Sequence, residues 1–154
     1  MFPTLLALLT SLHLWASPAP QEANEFWLAA AGTSDMTSLV NAQRQRNGRA
    51  PINRSTTLDR IAADHAKDMA KQGYFSHKSP DGRQLRDRAA RRGYRACLMA
   101  ENIAKGYSSA PQVVDGWMKS RGHRKNMLLN KVSEFGVAQA GDRIWVMVLA
   151  RPGC

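Results

Sequence analysis

The sequence predicts an α+β domain, a three-layer α/β/α sandwich with a central antiparallel sheet. Two observations carry this. Every residue from Ile144 to Leu149 is apolar, so a strand there meets water on neither face and needs a cover on both sides. Upstream, apolar residues recur at helical spacing in segments separated by glycine and proline.

Each element follows from local chemistry. Ser34 is a good N-cap for a first helix through Met36, Leu39, Val40 and Gln43, which Gly48 and Pro51 end. A second helix starts near Ser55–Thr57 and carries Leu58, Ile61, Ala62, His65, Ala66 and Met69 on one stripe, with Gly73 as its stop. Tyr74 to Gly82 is a loop rich in turn formers, its aromatic pair Tyr74–Phe75 serving as anchor. An arginine-rich helix from about Arg83 to Arg92 follows, then a short buried strand from Cys97 to Ala104 broken by the polar pair Glu101–Asn102. Ser109–Ala110–Pro111 opens another helix, with proline at a tolerated early position and Val113, Val114, Trp117 and Met118 as its apolar face. Gly122 is expected to interrupt it just before His123. Strands from Phe135 to Ala140 and from Ile144 to Ala150 flank a Gly141–Asp142 turn and close a hairpin.

The 154 residues suffice for one domain with a substantial core. Residues 1–16 read as a secretory signal, 17–33 as a linker and 34–154 as the domain. The first segment is apolar from Leu5 to Trp15, too short to span a bilayer, and gives way to small residues and prolines. Secretion or a periplasmic location is the expectation, with no transmembrane segment in the mature chain. The formal net charge of +10 favours polyanions or anionic lipid headgroups as partners. The arginines from Arg83 to Arg95 lack the interleaved aromatics of a single-strand binder, so no specific nucleic acid is expected and the cluster reads as a basic exposed face. Cys97 and Cys154 are the two cysteines. In an exported protein two such residues pair, and a Cys97–Cys154 bridge closing more than fifty residues would contribute about 3–4 kcal/mol.

Three dispersed residues carry candidate chemistry. His77 sits in a Ser-Pro-Asp-Gly turn context, where a rigid loop can present an imidazole. Glu101 is a carboxylate inside a buried strand, costly unless paired or coordinated. His123 follows Gly122 and precedes Arg124, itself a possible partner for Glu101 or for an acidic ligand. Two imidazoles and a carboxylate can bind a divalent metal such as Zn²⁺ or exchange protons. His65 lies on an apolar stripe and reads as a core histidine with a satisfied ring N–H. No GxSxG elbow, HExxH helix, P-loop or CxxC pair is present.

These residues, in this order, resemble the CAP superfamily of cysteine-rich secretory proteins, antigen 5 and pathogenesis-related group-1 proteins, in its bacterial single-domain branch. The resemblance covers about Thr37 to the C-terminus and rests on LVNAQR, the helix with His65, FSHKSPDG, AENIAKG, VVDGWMKSRGHRKNML and FGVAQA followed by IWVMVLA. It implies an α/β/α sandwich with an open cleft lined by two histidines and two glutamates. His77, Glu101 and His123 match three of them. The fourth falls between Trp117 and Arg121, where this chain has no acid. The resemblance therefore implies binding of an extracellular or envelope ligand, with a divalent metal at His77, Glu101 and His123. A metal-dependent hydrolase acting on an envelope or peptide substrate is the first alternative, and a lipid or sterol carrier the second.

Overall fold

The structure, a computed structural model, describes residues 36–153. The expected signal, linker, Ser34 cap and Cys154 lie outside the described residues. In chain order the elements are α1 (Met36–Arg46), β1 (Asn53–Arg54), α2 (Thr56–Gln72), α3 (Leu85–Arg91), β2 (Ala96–Lys105), α4 (Ala110–Lys119), α5 (Arg121–Met127), β3 (Glu134–Ala140) and β4 (Ile144–Pro152).

The apolar run of β4 explains the layers. Trp145, Met147 and Leu149 point into a core with Met36 and Val40 of α1 and with Val113, Val114 and Trp117 of α4. Val146, Val148 and Ala150 point the other way, against Leu58, Ile61, Ala62 and Met69 of α2 and Ala89 of α3. Strand alternation thus splits one apolar run between two cores, and the three-layer sandwich follows.

The sheet order is β1-β3-β4-β2. The β2–β4 and β3–β4 pairs are antiparallel, but β1 pairs with β3 in parallel. The sheet is therefore mixed rather than purely antiparallel. With only Asn53 and Arg54, β1 is too short and polar to show an alternation in the sequence.

Two close contacts fix α2 on the sheet. Asp59 Oδ1 accepts from the Val137 backbone N–H at 2.8 Å. A Cβ at Gly136 would strike the Leu58–Asp59 backbone, so only glycine allows this approach. On the opposite layer, buried Arg44 of α1 donates Nη1 to the carbonyls of Met127 (2.7 Å) and Leu129 (3.1 Å), and Nε to that of Ala50 (2.8 Å). These bonds satisfy carbonyls at the C-terminal end of α5 and hold that short helix in place.

The helix break predicted at Gly122 falls instead at Ser120, which is extended (φ −90°, ψ 122°) and separates α4 from α5. Gly122 is helical and a Cβ there would meet nothing within 4 Å. Of the aromatic pair Tyr74–Phe75, only Tyr74 anchors its loop, through Asp68 (2.6 Å) and Ser79 (3.0 Å). Phe75 is exposed.

Candidate functional site

Strand β2 lies at the edge of the sheet, so helices from both layers can meet around its outer side. Its odd residues face α2 and α3, since Met99 and Ile103 join that core. Glu101 falls between them and points the same way. Asn102 points oppositely, as strand alternation requires: its Nδ2 donates to the His123 carbonyl at 3.1 Å. Asn126 of α5 donates Nδ2 to Asn102 Oδ1 (2.9 Å) and to the Glu101 carbonyl (3.2 Å). The Glu101–Asn102 pair is thus where β2 joins the two layers.

The Glu101 side chain is only 4 % exposed and both oxygens are engaged. Oε1 lies 2.8 Å from His77 Nδ1, and Oε2 lies 2.7 Å from Arg88 Nη2. The Arg88 guanidinium, also buried, donates to the His77 carbonyl (3.2 Å) and the Arg83 carbonyl (3.4 Å). One buried cation therefore holds both the carboxylate and the backbone of the loop that carries His77. An ionised carboxylate is an acceptor only, so Nδ1 of a neutral His77 carries the proton and Nε2 presents a lone pair. The imidazole is 57 % exposed.

His65 of α2 faces the same carboxylate. Its Nε2 is 3.8 Å from Glu101 Oε1, beyond hydrogen-bond range, and the Ser76 backbone also interacts with the ring. Burial pushes its pKa below the ordinary value, against the pull of Glu101. His123 is half-buried on α5. Burial, then the neighbouring His77, hold its pKa down, so the two imidazoles sense each other without a hydrogen bond between them.

A model of the cysteine-rich secretory protein family matches residues 37–149, most of the chain. The chain belongs to the CAP family. The CAP domain is 34 % identical over 138 residues to YkwD of Bacillus subtilis, covering 84 % of this chain and 54 % of that protein. It is 33 % identical over 116 residues to the membrane protein YlbC of the same organism, covering 74 % and 34 %. The chain thus spans about half or less of the curated relatives it matches. An extracellular Bacillus anthracis protein containing a SCP domain superposes with a TM-score of 0.79 at 29 % identity, covering 88 % of this chain and 45 % of that one. A Staphylococcus aureus cysteine-rich secretory protein gives 0.68 at 20 %, covering 92 % and 43 %. At that identity the likeness shows the fold alone.

Within this CAP domain, two of the three expected residues meet directly. His77 and Glu101 touch, while the His123 side chain makes no bond to either. The described residues contain no group of three or more His, Cys, Asp or Glu side chains able to hold a metal. The donor chemistry agrees: Arg88 places a fixed positive charge on one Glu101 oxygen and His77 occupies the other. The set does not fit a metal held by His77, Glu101 and His123. Nor does Arg124 reach Glu101, since it donates to Asn47 Oδ1 at 2.8 Å.

Arg88 and His65 are the members that sequence reasoning missed. Arg88 was expected on an exposed basic face, yet it is buried. It falls between Leu85 and Ala89, both packed on the α2 side, and spacing of three and four residues was the available signal. His65 is a core residue as expected, but its ring also faces the Glu101 carboxylate. Cys97 Sγ lies 4.0 Å from the Pro152 carbonyl.

Proposed function

We propose that this CAP-domain chain is an exported protein that binds an extracellular or envelope ligand at the rim formed by His77 and His123. The observation that carries this is the engagement of Glu101 at both oxygens. A carboxylate tied to Arg88 and His77 and withdrawn from solvent orients its neighbours; it does not activate a metal-bound water. What is exposed is the His77 imidazole, beside a second imidazole of lowered pKa, and a neutral imidazole can accept a hydrogen bond. The likeness to an extracellular Bacillus anthracis protein supports export. No helix among the described residues is long and apolar enough to cross a membrane.

One observation favours a second reading. A histidine whose Nδ1 donates to a carboxylate is an oriented base, so His77 could take a proton from a substrate. A single experiment separates the two: isolated peptidoglycan sacculi are incubated with wild type, His77→Ala and Glu101→Gln. Retention on sacculi that drops at least tenfold in His77→Ala, with no soluble fragments released, is the expected result. Release of fragments by wild type, lost in His77→Ala, would replace binding by hydrolysis. Equal retention of all three proteins would remove the rim as the contact.

A further inference from the structure

We infer a second binding site, separate from the histidine rim: a cationic concavity for a phosphodiester polymer of the polyol-phosphate type. A hollow of about 440 Å³ is lined by Lys119, Arg121, Arg124, Lys125 and Leu128. Between Asp115 and Glu134 the sequence has five cations and no acid, so no carboxylate within this stretch neutralises the hollow. Lys119 is paired with Asp115 at 2.6 Å. Arg124 is held by Asn47, whose own Nδ2 donates to the Gln43 carbonyl at 2.7 Å. Arg121 and Lys125 are exposed and have no partner among the described residues. The hollow thus offers one positioned guanidinium and two cations without counter-charges, on a helix that Arg44 fixes in place.

The geometry points to the occupant. Arginine forks match the paired oxygens of phosphate. A water takes about 30 Å³ in the liquid, so the hollow is an order of magnitude larger than a single small molecule of that size. It accepts a repeat unit, with phosphate on the cations and its carbon linker on Leu128. The lining has no aromatic side chain on which a base could stack, which disfavours single-stranded nucleic acid. At about 100° per residue, Arg121, Arg124 and Lys125 share one face of α5 and His123 lies on the other. The site therefore stands whether or not the histidine rim binds anything.

The test uses the full chain and a fluorescent glycerol-phosphate oligomer, followed by anisotropy from 50 to 200 mM salt. Arg121→Gln/Lys125→Gln should weaken binding at least tenfold and lower the log–log salt slope by about two, one per cation removed. Lys67→Gln/Lys71→Gln removes the same charge from exposed positions on α2 and should change affinity less than threefold, as should His77→Ala. Equal weakening by both double variants would mean that net charge alone attracts the polymer and would overturn the site. Unchanged binding in Arg121→Gln/Lys125→Gln would do the same. Tighter binding of single-stranded DNA or of polyglutamate than of the glycerol-phosphate oligomer would overturn the occupant.

Discussion

Replacing Glu101 by Gln keeps the shape of the side chain and removes its charge. Arg88 would then be a buried guanidinium, 5 % exposed, whose 2.7 Å contact no longer ends on a carboxylate. The carbonyls of His77 and Arg83 stay as partners, but they carry no balancing charge. Breaking a buried pair from one side costs about 3–5 kcal/mol. A domain of this size unfolds in urea with a slope of about 1–3 kcal/mol/M, so the midpoint should fall by roughly 2 M. Arg88→Met should lose a comparable amount, because the carboxylate is then left with His77 alone. The double variant Arg88→Met/Glu101→Leu removes both charges and should be more stable than either single variant. Urea melts followed by tryptophan fluorescence provide the assay. A Glu101→Gln midpoint within about 0.5 M of wild type, or a double variant that loses the sum of the singles, would refute the coupling.

Burial holds the His65 and His123 pKa values below the ordinary imidazole value of about 6.5. The unfolded chain therefore binds more protons as pH falls through 6.5, so stability is full above that pH and declines below it; urea melts from pH 7.5 to 5 should show this, with a shallower decline in His65→Gln. Gly136→Ala should destabilise by about 3 kcal/mol or prevent folding, since the Cβ meets backbone, whereas Gly122→Ala, in open space on a helix, should add about 0.5 kcal/mol; equal melting temperatures for the two would contradict the assigned packing. Calorimetry with Zn²⁺ should give no heat that depends on Glu101; binding present in wild type and lost in both His77→Ala and Glu101→Gln would restore the metal reading. The proposed Cys97–Cys154 bridge predicts no free thiol in the unreduced full chain and a loss of about 3 kcal/mol on reduction; two titratable thiols in the unreduced protein would exclude the bridge.

The layers were legible because β4 is apolar at every position from Ile144 to Ala150, which admits only a doubly covered strand. The stripe of α2 and the αL glycine that ends it, Gly73 (φ 70°), were legible for the same local reasons. The parallel β1 pairing was not, because two polar residues carry no period. In the site, Glu101 stood out as a charge in an apolar strand. Its partner did not: Arg88 sits among several arginines, and only its spacing from Leu85 and Ala89 marks it as buried. The break at Ser120 was hidden by Gly122, whose permissive backbone drew the expected turn two residues downstream. Long-range pairing, here between α3 and β2, leaves no signature in either segment.

Strand β2 is ten residues long and, among the described residues, its outer side has no neighbouring strand. Such a border can recruit another chain into the sheet. Here Asn126 takes the Glu101 carbonyl, and Arg86 reaches that of Ala96 at 3.5 Å. Side chains from the helices beside the rim therefore cover part of this border. Asn126→Ala should disturb more than the histidines, by freeing a stretch of backbone to template intermolecular β-pairing as concentration rises.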